Sequence, residues 1–393
     1  MQKKIKILFV AEELATNGAM MSLLALLSAI PSNLYEISLF LFNHGKIDKE
    51  LVPNHITILP ELYPYSAHRM SLKQSVFTSI KKQRFDMVLY RILLSFQRYF
   101  RLDYKLWHFL PSVPGVYDVV CCYADGFVAP MAEKKVNATK RACWIHFTYS
   151  DWQQEKYVYE SLKRANICIP VSIEAGHDLD KVLREHISQF VIHNITDAET
   201  CILRALECCD IPRKKDVKRI VSVGRVTSQK GFDLIPNIAK ELFDRGLNFE
   251  WIILGDGEDR GRIVKQLLQY ELDEFVHFIG NRANPMPYIE SADVFVNPSR
   301  FESWGMTISE ALCLGKAIVA SDLPVFKEQI KDGVNGLMRP NVPSILAEAI
   351  EMVLTDDALR HKLERNALNY PYTKEKIVAE FNSMIEKLLN IKL

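Results

Sequence analysis

The sequence predicts an α/β fold built of two Rossmann-like, doubly wound domains facing a central cleft. Three observations lead there. Short unbroken apolar runs alternate with longer segments of helical period along nearly the whole chain, as in parallel sheets covered on both faces. The runs fall into two sets, separated by the polar stretch "DAETCILRALECCDIPRKKD" at 197–216. And 393 residues exceed what one hydrophobic core usually serves.

The first set opens with "IKILFVAE" (5–12), a buried strand, followed by "GAMMSLLALLSAI" (18–30), apolar at helical spacing until Pro31 stops it. "YEISLFLFN" (35–43) and "ITILP" (56–60) read as further strands, and "YDVVCCYAD" (117–125), "RACWIHF" (141–147), "NICIPVS" (166–172) and "FVIHN" (190–194) complete the set. The second set runs through "VKRIVSVGR" (217–225), "NFEWIILGD" (248–256), "VHFIG" (276–280), "DVFVNPS" (293–299) and "AIVASD" (317–322), with helical segments such as "FDLIPNIAKELFDRG" (232–246) between them. The expected domains are 1–198 and 199–372. The periodic segment "TKEKIVAEFNSMIEKLLNI" (373–391), within a terminal piece 373–393, can pack on either, including back on the first.

A hydrophobic share of 48% and a charged share of 25% describe an ordinary soluble chain, and a net charge of +1 gives no global pull toward nucleic acid. The charge is uneven: residues 68–105 hold nine Lys/Arg against two acids. The eight cysteines form no C-x-x-C and have no histidine pair at zinc-ligand spacing, so no metal site is expected. Cys121, Cys122, Cys143 and Cys168 sit in apolar runs as small hydrophobes, which points to a reducing, cytoplasmic compartment. No stretch has the length and apolarity of a membrane span. "MQKKIKILFVAEE" reads as a first strand and not a signal peptide, because its apolar run is short and ends in two acids.

In doubly wound sheets ligands bind outside the carboxyl ends of the strands, so residues just after each strand are the candidates. Gly18 stands where a loop enters a helix, whose N-terminal amides suit an anion; the plainer reading is a helix start with Gly18 or Asn17 as cap. Arg225 and Lys230 flank the loop after the first strand of the second set. A guanidinium grips phosphate oxygens with two bonds and a lysine adds a point charge, so the pair suits a diphosphate, against the alternative of two solvated cations. "LGDGED" (254–259) is better read as a tight turn; it lacks the full dinucleotide fingerprint. His146 ends a strand, either as a packed histidine bonded to backbone or as a substrate ligand or proton shuttle.

Glu302 and Glu310 are separated by seven residues. On one continuous helix they would point about 80° apart and lie ~12 Å apart along the axis. A loop leading into a helix from about Thr307 to Leu314, stopped by Gly315, removes that separation and opens the amides of Ser303 to Met306 toward the same place. Thr307-Ile-Ser-Glu310 also matches a capping box, which gives Glu310 a purely structural role, while Glu302 can be a solvated loop acid.

The order of Gly18, His146, "GRVTSQKG", "GDGE" and "PSRFESWGMTISEALCLGKAIVASD" resembles the retaining glycosyltransferases of family four, which have the GT-B fold and include bacterial surface-polysaccharide enzymes. The likeness covers nearly the whole chain, "KEQIKDGVNGLM" (327–338) included. Its most specific element is the pair of glutamates followed by a Gly-Lys strand. The resemblance implies a nucleoside diphosphate sugar as donor, UDP-sugar favoured over GDP-sugar, and no cofactor. It assigns the diphosphate to Arg225 and Lys230, the ribose to Glu310 and the transferred sugar to Glu302. The backbone of Ser303, Trp304, Gly305 and Met306 would hold sugar and phosphate. His146 would touch the sugar near the reacting carbon, Gly18 would close over the diphosphate, and Asn281 would lie near the base. Two departures stand out. Ala19 follows Gly18 where a second glycine is common, and Trp304 replaces the usual phenylalanine, which can reshape the sugar pocket.

Such parts suit metal-independent transfer, because two cations and a helix N-terminus stabilise the charge developing on the leaving group. The implied acceptor is a glycan or lipid-linked glycan, in capsule or other surface-polysaccharide synthesis. The basic segment 68–105 interleaves Phe77, Phe85, Tyr90, Phe96, Tyr99, Phe100 and Tyr104 with its cations, Trp107 following. This suits peripheral contact with an anionic membrane at the inner face of the plasma membrane, against the plainer reading of ordinary amphipathic helices. Two other classes compete: a non-catalytic glycosyltransferase-like protein that binds carbohydrate or a partner, and a nucleic-acid binder. Retention of both glutamates and both cations disfavours the first; a single confined basic patch disfavours the second.

Overall fold

The computed structural model describes residues 3–14, 18–44, 51–99, 106–150 and 154–393. The chain divides into two compact units, Met1–His193 with Glu375–Leu393, and Asn194–Lys374. Each is an α/β unit around a six-stranded parallel sheet, as the alternation of apolar runs and helices requires.

The strands of the first unit are β1 (Ile5–Ala11), β2 (Tyr35–Leu41), β3 (Thr57–Ile58), β4 (Tyr117–Cys122), β5 (Ala138–Ile145) and β6 (Ile167–Pro170), in the order β3-β2-β1-β4-β5-β6. Its helices are α1 (Gly18–Ala29), α2 (Tyr63–Arg69), α3 (Leu72–Lys81), α4 (Phe85–Tyr99), α5 (Val128–Lys135), α6 (Lys156–Lys163) and α7 (Ile173–Leu183). In β1 the last five residues are wholly buried, the burial pattern of a central strand covered on both faces. The expected strand "FVIHN" is not one. It runs beside β6, with Ile192 N–H donating to the Pro170 carbonyl at 3.2 Å, but pairing reduces to one bridge between Cys168 and Gln189. Pro170 has no N–H to return the next bond, so the ladder stops there.

The second unit contains α8 (Ala198–Ala205), β7 (Lys218–Val223), α9 (Ile235–Asp244), β8 (Phe249–Leu254), α10 (Arg260–Gln269), β9 (Val276–Gly280), α11 (Met286–Glu290) and β10 (Val294–Asn297). It continues with α12 (Met306–Cys313), β11 (Ile318–Ser321), β12 (Leu337–Arg339), α13 (Pro343–Thr355) and α14 (Asp357–Ala367). The sheet order is β12-β11-β10-β7-β8-β9, the same winding as in the first unit. Two elements depart from the expectation. A helix, α8, capped by the Asp197 carboxylate on the Thr200 amide, occupies the start of the stretch read as linker. And β12 lies within a segment not read as a strand. The buried pair Arg219 and Glu250, opposite each other in β7 and β8 and joined at 2.7 Å, is structural: each charge is compensated where water is excluded.

The last helix, α15 (Lys374–Leu389), packs on the first sheet. Phe381 stacks on Phe9 at 6.1 Å between ring centroids and meets the edge of Tyr35 at 5.8 Å. Tyr35 donates from its hydroxyl to Asn382 at 2.7 Å.

Each sheet reverses winding direction once, between β1 and β4 and between β7 and β10. At such switch points adjacent loops diverge to opposite faces and leave a crevice at the carboxyl ends of the strands. The β7 and β10 loops are those that carry Arg225, Lys230, Glu302 and the approach to Glu310.

Candidate active site

The loops after β7 and β10 are tied to each other by main chain and side chain. Arg300 N–H donates to the Gln229 carbonyl at 2.8 Å, and the Arg300 guanidinium grips Asp233 with two bonds of 2.6 and 2.8 Å. Gly231 has φ +68°, and a Cβ there would sit 1.9 Å from the Pro298 carbonyl oxygen. Only glycine lets the two loops approach this closely. Backbone bonds also lace the β7 loop to "LGDGED": Val226 N–H donates to Asp256 and Asp259 N–H to Val226, which is the packing of a tight turn.

On this base Lys230 contacts the Glu302 carboxylate directly, and Ser299 donates to the same oxygen at 3.0 Å. The two side chains are 19% and 9% exposed, so neither is the solvated charge that the plainer reading required. Arg225 is exposed and donates to Gln229 at 3.1 Å. It stands one loop turn from Lys230, with its remaining donors available to an anion.

After Glu302 the chain turns into α12 through Gly305, at φ +87°; a Cβ would lie 2.7 Å from the Phe326 ring. The helix begins at Met306, one residue before the expected start, and no side chain caps it. The capping box is therefore absent: Thr307 accepts instead from Asn297 at 3.3 Å. Among the described residues the Glu310 carboxyl makes no hydrogen bond. Burial pushes its pKa from 4.5 up to about 7, with Arg204 on α8 drawing it back. Trp304 does not line an open pocket with its indole. That side chain is 2% exposed and meets Tyr372 edge-on at 5.0 Å, leaving the main chain as the part that can face a ligand.

The remaining candidates lie on other elements. Asn281 is exposed after β9, two strands from β7. Gly18 opens α1 in the first unit, while Asn17 lies outside the described residues. His146, also in the first unit, follows β5. Its ring is 8% exposed, packs against Tyr123 at 4.7 Å and has no hydrogen-bond partner for either nitrogen among the described residues. The packed, backbone-bonded histidine is thus not what the structure shows. Burial lowers its pKa to about 3, so the imidazole is neutral and cannot serve as a charged acid near neutral pH.

Sequence reading missed three neighbours. Ser299 and Gln229 orient Glu302 and Arg225, and Asp125 underlies His146, accepting its backbone N–H at 3.1 Å and the Tyr149 hydroxyl at 2.8 Å. Burial raises Asp125 from 3.8 to about 7. Its signal was its place, just after β4 at the switch point. Among the described residues no group of three or more His, Cys, Asp or Glu is placed to hold a metal ion.

Residues 210–370 match the family described as glycosyl transferases group 1. The chain is 30% identical over 164 residues to an alpha-D-kanosaminyltransferase of Streptomyces kanamyceticus, covering 41% of this chain and 42% of that one. It is 29% identical over 174 residues to the lipopolysaccharide core biosynthesis glycosyltransferase LpsE of Rhizobium meliloti, covering 44% and 49%. The chain thus spans about half the length of these relatives or less. The crystal structure of Anabaena HepE in complex with UDP-glucose superposes with a TM-score of 0.69 at 17% identity, over 98% of this chain and all of that one, a likeness of fold. Residues 210–370 therefore match the group 1 glycosyl transferases, and the chain as a whole shares the fold of HepE.

Proposed function

We propose that this protein transfers a hexose from a nucleoside diphosphate sugar to a glycan or lipid-linked glycan acceptor, with retention and without a metal, in the cytoplasm during surface-polysaccharide synthesis. The observation that carries the reading is the Lys230–Glu302–Ser299 contact at the β7/β10 switch point, where the chain goes on to enter the uncapped N-terminus of α12. An ammonium, a nearby guanidinium and open helix amides suit a diphosphate that gains charge as the sugar–phosphate bond breaks. Lys230 has three donors, one directed at Glu302, which leaves the others for phosphate oxygens. Glu302 then holds the sugar hydroxyls beside that phosphate, and Glu310 holds the ribose. His146, kept neutral, donates or accepts a single hydrogen bond at the sugar, and a hydroxyl there would satisfy a buried imidazole that has no partner among the described residues. Retention follows from attack on the face the diphosphate leaves, with a departing phosphate oxygen taking the acceptor's proton.

UDP is favoured as the donor nucleotide because HepE is complexed with UDP-glucose and the S. aureus TarM mutant with UDP. LpsE and the S. aureus poly(ribitol-phosphate) alpha-N-acetylglucosaminyltransferase support the polysaccharide setting. A panel of UDP-, GDP- and ADP-sugars scored by nucleotide release, with and without excess chelator, tests the reading. UDP release that survives the chelator is expected. Preference for GDP-sugars replaces the donor; complete, reversible loss in chelator defeats the metal-free site; silence with every donor favours a carbohydrate-binding protein.

A further inference from the structure

Helices α3 and α4 both expose large apolar side chains, and α3 does so with polar residues on its inner face. A helix on a soluble protein buries its large apolar residues and exposes its polar ones. On α3 the inner face is Ser75 and Ser79, both wholly buried, whereas Leu72, Phe77 and Ile80 are 43%, 72% and 52% exposed. On α4 the inner stripe Met87, Tyr90 and Leu94 fixes the helix to the core, so Tyr90 is a core residue and not part of a surface set. The opposite stripe, Phe85, Leu89, Ile92 and Phe96, recurs at helical spacing and is 67%, 52%, 53% and 56% exposed. The α3–α4 turn, with Gln83 at φ 55°, sets the helices side by side. Large exposed apolar residues on two neighbouring helices mark a candidate interaction surface.

The charge of the two helices is positive in excess. Lys73 and Lys81 are exposed. Lys82 lies over the Tyr63 ring at 4.4 Å, and Arg84 holds Asp86 with bonds of 2.9 and 2.7 Å, so the single described acid of the two helices is already neutralised. Phe100, Arg101, Tyr104 and Lys105 lie outside the described residues. Trp107 stacks on Phe127 at 5.6 Å and belongs to the packing of the unit. Among the described residues no helix is long and apolar enough to cross a membrane.

We propose that the outer faces of α3 and α4 dock on an anionic lipid surface, with Phe77, Leu89 and Ile92 entering the interface and Lys73 and Lys81 meeting the headgroups. The inference deepens the transferase reading by bringing the enzyme to a lipid-borne acceptor, yet vesicle binding without donor measures it independently of that reading.

The test is co-sedimentation of the full chain with vesicles of equal parts phosphatidylglycerol and phosphatidylcholine, and with phosphatidylcholine alone, at low and high salt. Binding to the anionic vesicles that weakens with salt is expected, with little binding to neutral ones. The combined variant Phe77→Ser, Leu89→Ser and Ile92→Ser should bind about 10-fold less or weaker still, since it loses the apolar area that enters the lipid. Its thermal melt and its donor turnover without vesicles should match wild type. Lys73→Gln with Lys81→Gln, which touches no apolar residue, should lower binding and flatten its salt dependence even if the serine variant folds poorly. Wild type that ignores anionic vesicles at low salt, or binds neutral ones equally well, overturns the proposal. A concentration-dependent dimer that the serine variant dissolves, with no vesicle binding, would give the surface to a second copy instead.

Discussion

Glu310→Gln is expected to stabilise the protein at about pH 8 by about 2–3 kcal/mol, to leave stability unchanged at about pH 4, and to weaken nucleotide binding ~10-fold. The native state holds the Glu310 proton up to about pH 7, whereas its ordinary value is 4.5. The unfolded carboxyl therefore ionises first as pH rises. Between those two values the native state binds more protons than the unfolded state, so wild-type stability falls across that window and stays reduced above it. Glutamine carries no charge to desolvate and removes the loss. A capping box would have kept the substitution neutral at every pH; without one, no cap is at stake. If Glu310 holds the ribose as proposed, the gain comes with a cost in function, because an amide accepts from hydroxyls more weakly than a carboxylate. Thermal melts at both pH values and calorimetric titration with UDP read the two effects separately. A variant that gains stability yet binds UDP like wild type takes Glu310 out of the donor site.

Lys230→Met should lower turnover about 10²–10³-fold, the usual scale for losing one group that stabilises developing charge in a water-poor site. UDP binding should weaken as well. The substitution also strands the Glu302 carboxylate, 9% exposed, with Ser299 as its remaining side-chain donor among the described residues. That should cost about 1–3 kcal/mol of stability. Glu302→Gln should spare UDP binding and impair sugar transfer, since its proposed partner is the sugar. The double variant distinguishes a structural ion pair from a catalytic one. Removing both charges should restore most of the melting temperature lost in Lys230→Met without restoring turnover. If turnover recovers together with stability, the pair only holds the loops together and the site model fails.

Much of this fold was legible because buried parallel strands leave a local mark. Runs such as "IKILFVAE" and "VKRIVSVGR" are apolar on both faces and bounded by loops, so neither needs knowledge of its neighbours. Where pairing depends on a partner, the mark fails. "FVIHN" has strand composition, but its ladder stops because Pro170, in another segment, cannot donate. The opposite error occurred at α8, where polar composition concealed a helix that packs against α11 and α12.

The sequence by itself determined two doubly wound units, the spacing of Glu302 and Glu310, and the candidacy of Arg225 and Lys230, because strand ends and loop entries are local properties of the chain. Only the tertiary structure decided what those residues are. Lys230 is the direct partner of Glu302, 72 positions away, because the winding places β7 beside β10 and glycine at 231 lets their loops meet. Glu310 matches a capping motif letter for letter, yet its helix begins one residue earlier, at Met306, and its carboxyl is left to burial, not to a backbone amide. A helix start is fixed by the turn that delivers the chain to it. That turn, at Gly305 against Phe326, belongs to the packing and not to the motif.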